Sequence, residues 1–268
     1  MNEENCNKAD KGLPVKNGDA TDFRHSLEVV LDRRFFRVTL RVRKCSVEVN
    51  VTLKINEIFY SIQGESTHQG LPYIFVRESG CNLRCRYCDT TYAYDEGEQM
   101  ELSTIVKAVR SLTSREVAPR VLITGGEPLM QADTPKLIGL LNDEGYRVSV
   151  ETNGSLDIRV VPPESAKRIV DFKCPSSGCC DKNLLDNHKY MCESDEAKFV
   201  IANRGDYDWA RNTVRELNML AKHEVLFSPV FGELMPSALA RWILEDDIQV
   251  RLQLQLHKII WPETTKGV

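Results

Sequence analysis

Gly80-Cys81-Asn82-Leu83-Arg84-Cys85-Arg86-Tyr87-Cys88-Asp89-Thr90 carries three of the chain's nine cysteines within one short loop, with no fourth close by. A structural zinc site closes itself with four ligands, usually two C-x2-C pairs well separated along the chain. Three thiolates from one loop suit instead a cubane iron–sulfur cluster with one iron open to a further ligand. Gly80 and Asn82 let the loop turn tightly enough to aim three sulfurs at one centre. Two blander readings, three unconnected thiols and a zinc knuckle with a distant fourth ligand, fit this spacing poorly.

Outward from the loop the pattern is regular. Upstream, Lys54–Tyr60 alternates as a strand into the glycine turn Ser61-Ile-Gln-Gly-Glu65, and Pro72–Glu78 is a second strand delivering Arg77. Downstream, Leu102, Ile105, Val106, Val109 and Leu112 recur at helical spacing. Val121–Thr124 is a short buried strand running into Gly125-Gly126-Glu127-Pro128. Thr134 reads as the N-cap of a helix with Pro135 in its first turn, and Gly145 stops it. Strands follow at Arg147–Glu151 (into Thr152-Asn153-Gly154), Arg168–Phe172, Lys198–Ala202, Glu224–Phe227 and Arg251–Leu256. Helices are expected at Tyr207–Lys222 and Ser237–Glu245. Alternation of strands and helices predicts a parallel sheet, and polar motifs recur where such sheets bind ligands, at the carboxyl ends of strands. The stretch from Val170 to Lys198 lacks an amphipathic helix, so one crossover is irregular. The expectation is an α/β fold: an incomplete, open β/α barrel of about six parallel strands.

Residues 1–52 read as a separate N-terminal extension, with the catalytic domain at 53–268. Met1–Thr21 is polar and aperiodic, so disorder is expected there. In the basic strip Leu31–Lys44, Val38, Leu40 and Val42 alternate with polar residues, as in an edge strand; an RNA-touching arm is the less favoured alternative. A net charge of -4 argues against nucleic-acid binding. No apolar run is long enough for a bilayer, and no secretory signal is visible. A chain this long needs no disulfide scaffold, so its cysteines indicate a reducing, cytoplasmic setting.

The C-x3-C-x2-C spacing, with an aromatic before the third cysteine, resembles the signature of the radical S-adenosylmethionine (SAM) enzymes. Gly125-Gly126-Glu127-Pro128 resembles the glycine-rich motif that binds the SAM amino group there. Glu57-Ile-Phe-Tyr-Ser-Ile-Gln-Gly-Glu65, Phe75-Val-Arg77, the cysteine loop with Asp89-Thr90, and Gln255-Leu-His-Lys258 together resemble the 7-carboxy-7-deazaguanine synthase family over residues 53–268. The resemblance implies a ring-contracting lyase that converts 6-carboxy-5,6,7,8-tetrahydropterin to 7-carboxy-7-deazaguanine and ammonia, on the route to queuosine and other deazapurines. It uses SAM, a 4Fe–4S cluster and Mg²⁺.

Carried onto this sequence, the resemblance implies that Cys81, Cys85 and Cys88 hold the cluster and Thr90 ligates Mg²⁺. Tyr87, Cys88, Asp89, Gly126, Glu127, Asp171, Phe172, Lys173 and Ser228 would border SAM. Ile62, Gln63, Gly64, Arg77, Thr124 and His257 would meet the pterin. No side chain is given a catalytic role, because the radical comes from SAM. A flavodoxin or ferredoxin would supply the electron, and a homodimer is expected. Arg77 as a surface arginine and His257 as a core histidine are the plainer alternatives. Cys174, Cys179, Cys180 and Cys192 match no cluster spacing and read as free thiols. The extension and the tail Trp261–Val268 have no counterpart in the resemblance. Two other functional classes are weighed. A radical SAM activase of a protein partner should lack Ser-Ile-Gln-Gly-Glu, and a non-enzymatic metal module should bind zinc and no SAM.

Overall fold

The computed structural model describes residues 51–113, 119–261 and 267, together with the backbone of residues 27–32 and 37–42. The chain divides into two units, Met1–Val49 and Asn50–Val268. In the first, β1 (Leu27–Asp32) and β2 (Arg37–Val42) pair antiparallel as a two-stranded sheet, so the basic strip finds its partner locally instead of edging a larger sheet. The disorder expected for the first residues lies outside the described residues.

The second unit is built on one nine-stranded sheet. β3 (Thr52–Ile62) pairs antiparallel with both β4 (Pro72–Glu78) and β5 (Glu98–Glu101). From β4 the sheet runs parallel through β6 (Arg120–Gly125), β7 (Arg147–Thr152), β8 (Lys167–Asp171), β9 (Glu196–Ile201), β10 (Glu224–Pro229) and the two-residue β11 (Arg251–Leu252). The sheet does not close, since β5 and β11 are its two ends. This is the partial barrel expected, with six full parallel strands and a shorter terminal one than Arg251–Leu256 suggested.

Period-two alternation decides which side chains reach the site. Ile74, Val76, Val121, Ile123, Val148 and Val150 pack outward on α1 (Leu102–Ser111) and α2 (Thr134–Asp143). Their neighbours Tyr73, Phe75, Leu122 and Ile169 point to the barrel interior, where Phe59 stacks on Phe75 at 4.8 Å. Continuing that alternation, Arg77 and Thr124 stand side by side at the carboxyl ends of β4 and β6.

Some elements depart from the sequence reading. Thr134 is the first residue of α2 and Asp133 the N-cap, because the Thr134 hydroxyl is drawn away to the buried Glu78 carboxyl group at 2.8 Å. α3 (Arg204–Glu216) begins earlier than expected, capped by Asn203, whose side chain accepts from Asp206 N at 3.1 Å. It ends before Asn218, which takes a left-handed conformation. α4 (Pro236–Glu245) sits as read, and a short α5 (His257–Ile260) follows β11. The crossover from β8 to β9 contains three 3-10 turns and no α-helix. A buried ion pair stands in for helix packing there: Arg168 binds Asp195 and donates to Tyr190 O at 2.8 Å, while Asp195 also accepts from Cys192 N.

Candidate active site

A cavity of about 880 Å³ opens at the carboxyl ends of the parallel strands and is lined by Cys81, Cys85 and Cys88. The loop that carries them is fixed at its base by main chain. Gly80 N donates to Ala93 O at 2.9 Å, and Glu127 N donates to Gly80 O at 2.7 Å. The approach is so close that a Cβ on Gly126 would collide with Gly80 O and the Cys81 side chain. The glycine-rich motif therefore serves first as the surface on which the cysteine loop rests. Further along, Arg86 N donates to Ser177 O at 2.9 Å, and Arg86 forms a two-pronged pair with Glu233. The Tyr87 hydroxyl donates to Val200 O at 3.1 Å.

Donors face the thiols. Leu83 N and Asn153 Nδ2 approach Cys81 Sγ at 3.4 and 3.7 Å. Burial pushes the Cys85 thiol up to about 12, against the opposing pull of the Lys173 ammonium. That is the state of a thiol without iron; bound metal would deprotonate it outright. Among the described residues no three His, Cys, Asp or Glu converge on a single-ion cage. Three thiols lining one cavity are the ligand type that holds an iron–sulfur cluster.

Beneath the loop, Glu127 is buried. Its carboxylate accepts from Asn153 N at 2.6 Å, Thr152 Oγ1 at 2.8 Å and Leu129 N at 2.9 Å. Burial still raises its pKa to about 7. Glu127 thus ties the strand ends of β6 and β7 together, and its carboxylate does not line the cavity. Two other residues expected beside SAM are also outside the wall. Phe172 is packed in the core against Phe199 at 5.4 Å, and Ser228 is buried. Asp171 and Lys173 do line the cavity, paired at 2.7 Å. Asp171 Oδ1 and Ser228 Oγ have no hydrogen-bond partner among the described residues. Of the two only Asp171 lines the cavity, so its open acceptor is the one that a donor-bearing ligand there can meet.

Ile62, Gln63, Gly64, Arg77, Thr124 and His257 also stand in the cavity wall. Arg77 is no surface arginine: Nε pairs with Glu57 Oε1 at 2.7 Å, and Tyr92 OH donates to the same oxygen at 3.0 Å. His257 packs against Gly64 so closely that a Cβ there would strike its ring. Burial lowers the His257 pKa, against the pull of Glu65 and Asp89. Gln63 folds the turn on itself, donating from its main chain to Leu71 O and accepting from Gly70 N, both at 2.8 Å.

One residue the sequence reading passes over is central. Lys198, in the middle of β9, is buried, pairs with Glu65, and meets Glu151 at 2.8 Å. Burial opposes its charge, but Glu151 and Glu65 outweigh it and hold the ammonium charged. A lysine inside the otherwise apolar run Ala197-Lys-Phe-Val-Ile201 is the signal that marks it. The described cysteines beyond the cluster loop, Cys174, Cys179, Cys180 and Cys192, are free.

An open parallel barrel with three cysteines at the mouth of its cavity defines a radical SAM enzyme, and the Radical SAM superfamily pattern matches residues 78–176. The crystal structure of QueE from Escherichia coli has the same fold, with a TM-score of 0.60 at 22% identity, covering 77% of this chain and 95% of that one. The 7-carboxy-7-deazaguanine synthase of Chlorobaculum tepidum is 44% identical over 219 residues, 81% of this chain and 97% of that protein. That of Koribacter versatilis is 40% identical over 230 residues, 81% of this chain and all of that protein. The chain belongs to the 7-carboxy-7-deazaguanine synthase family.

Proposed function

We propose that the chain contracts the ring of 6-carboxy-5,6,7,8-tetrahydropterin to 7-carboxy-7-deazaguanine with loss of ammonia. The observation that carries this reading is one cavity lined by Cys81, Cys85 and Cys88 together with Gln63, Arg77 and Thr124. When bound, the cluster and SAM supply a hydrogen-abstracting radical. The protein's own part is to hold the pterin at a fixed distance and keep water out. Arg77, steadied by Glu57, offers a guanidinium to the substrate carboxylate. Thr124 offers a hydroxyl beside it, and the Gln63–Glu65 turn closes on the heterocycle. Asp171 offers an open acceptor to SAM.

Magnesium fits the Thr90 corner. Thr90 lines the cavity, and its hydroxyl donates to Asp89 Oδ1 at 2.9 Å, leaving oxygen lone pairs for a hard cation. Thr90 would be the protein ligand, with waters and substrate oxygens completing the shell. An external one-electron donor of the flavodoxin or ferredoxin type, a homodimer and a cytoplasmic setting complete the proposal; the family resemblance and the free thiols support them.

The test is turnover of 6-carboxytetrahydropterin by anaerobically reconstituted protein, with initial rate measured against Mg²⁺. Thr90→Val should keep cluster content and SAM binding while turnover and its stimulation by Mg²⁺ both fall; Thr90→Ser should be milder. No deazaguanine product from a fully loaded protein would sink the activity, and an unaltered metal response in the valine variant would remove Thr90 from the site.

A further inference from the structure

A carboxylate next to a magnesium donor ordinarily becomes a ligand itself, since hard cations select oxygen and above all charged oxygen. Asp89 is that carboxylate, yet its two oxygens are already engaged. Oδ1 accepts from the Thr90 hydroxyl at 2.9 Å. Oδ2 meets the Lys258 ammonium at 2.6 Å and faces Gln255 Nε2 at 3.5 Å. Lys258 is steadied over the Phe231 ring at 5.5 Å. Its helix, α5, is tied to the pterin-facing turn, because Leu256 N donates to Gly64 O at 2.9 Å. Released from the Lys258 ammonium, the Asp89 carboxylate would be a strong ligand for a hard cation.

We infer that Lys258 keeps Asp89 out of the metal's coordination shell, so that cation binding at Thr90 depends on the substrate. The inference rests on the reading of Thr90 as the magnesium donor. A lone hydroxyl is a weak ligand, and the ion then needs substrate oxygens to be retained. A hydroxyl and a free carboxylate together would hold a cation with no substrate present. The ammonium of Lys258 thus has two effects of the same sign in the empty enzyme: it occupies Asp89, and its charge repels a second cation. With the pterin bound, the substrate oxygens overcome both. Metal would enter only with the molecule on which it acts.

The experiment is Mn²⁺ titration followed by EPR, on the full chain with its cluster in the resting, EPR-silent state and with SAM bound, with and without 6-carboxytetrahydropterin. In the wild type, Mn²⁺ should bind tightly only when the pterin is present. Lys258→Met should bind Mn²⁺ without pterin at least about tenfold more tightly than wild type, because a charged ligand has been released. Lys258→Arg, which preserves the pair, should behave as wild type. The double variant Lys258→Met with Asp89→Asn should lose the gain. If the single Lys258→Met variant shows no gain, the inference is overturned. If the double variant keeps the gain, charge repulsion alone is at work and Asp89 is no released ligand. Thr90→Val, titrated with pterin, separates the two levels: unchanged Mn²⁺ affinity there removes the Thr90 reading itself, whatever Lys258 does.

Discussion

Two loops line the cavity and are held in different ways. The base of the cysteine loop rests on neutral groups, main-chain hydrogen bonds at Gly80 and Glu127 and close backbone contact at Gly126. The loop's ion pairs, Arg86 with Glu233 and Asp89 with Lys258, lie beyond Cys85. The turn at Gln63–Gly70 is held by charge and by distant side chains. Glu65 pairs with Lys198 and accepts from Gln255 Nε2 at 2.7 Å, while Gln69 Nε2 donates to Leu254 O at 2.6 Å. The difference follows from what each loop meets. A cluster bound to three thiolates brings negative charge, and an unpaired carboxylate at the base of its loop would repel it. A pterin brings N–H donors and a carboxylate, so on the proposed reading charged anchors near it would also serve as recognition groups.

The largest expected effect removes one side of this comparison. Cys85→Ala should abolish both the charge-transfer absorption of the reconstituted cluster and SAM cleavage, since two thiolates cannot retain the cubane. A full complement of iron in that variant would show that Cys85 is no ligand, as would stoichiometric zinc in the wild type. The fold should survive, because the loop's supports are main-chain bonds that the substitution leaves intact.

Lys198→Met attacks the other loop. It leaves Glu65 and Glu151 facing each other without their cation, and breaking a buried pair in this way costs about 3–5 kcal/mol. KM for the pterin should rise and residues 63–71 should become sensitive to limited proteolysis, with SAM affinity and iron content kept. Lys198→Arg should recover part of the loss. An equal loss of SAM binding would break the comparison, since it would mean that the two loops are not held independently.

The same contrast explains what could be read from the sequence. Three cysteines and their turn residues lie within one loop, so their chemistry is visible locally. The barrel is visible too, because alternating side chains recur strand after strand. The anchors of the Gln63–Gly70 turn are not, because Lys198 and Gln255 lie 133 and 190 residues from Glu65. Thr134 shows the same limit at shorter range. Its sequence context fits an N-cap, but Glu78, 56 residues away, claims the hydroxyl. Glu127 reads as an acceptor for the SAM ammonium until the fold surrounds its carboxylate with three donors. The irregular crossover before β9 is legible only as a missing helix; the Arg168–Asp195 pair that holds it is not.

A smaller effect tests whether the cysteine loop's supports really are neutral. Glu78 is buried at the end of β4, and burial pushes its pKa up to about 8 from an ordinary 4.5, with Thr134 donating against the shift. In the folded chain it stays protonated where the unfolded chain is ionised. Its contribution to stability is therefore full below about pH 4.5 and is lost as pH rises through about 8. Glu78→Gln keeps the shape without the proton. Its melting temperature should exceed wild type by about 5 °C at pH 8.5, with the gap closing toward pH 5.5. A constant gap between the two pH values would mean that Glu78 is ionised in the fold.

The smallest expected effect concerns the first unit. The catalytic unit begins at Asn50, slightly before the boundary read from sequence, because Val51 O accepts the first amide of α1 at 3.2 Å and Val51 packs on the core. Every residue placed in the cavity lies beyond it. A chain starting at Asn50 should therefore bind iron, SAM and pterin as the full chain does, with its melting temperature within about 2 °C. A start at Leu53 would remove the Val51 carbonyl and the first β3–β5 pair, Thr52 with Glu101, and should melt lower than the Asn50 start. Comparing the three chains separates two roles for the N-terminus. If both truncations match the full chain, the Val51 contact is dispensable as well. If the Asn50 start alone already loses turnover or stability, the segment from Met1 to Val49 supports catalysis, and its basic strip is the place to substitute next.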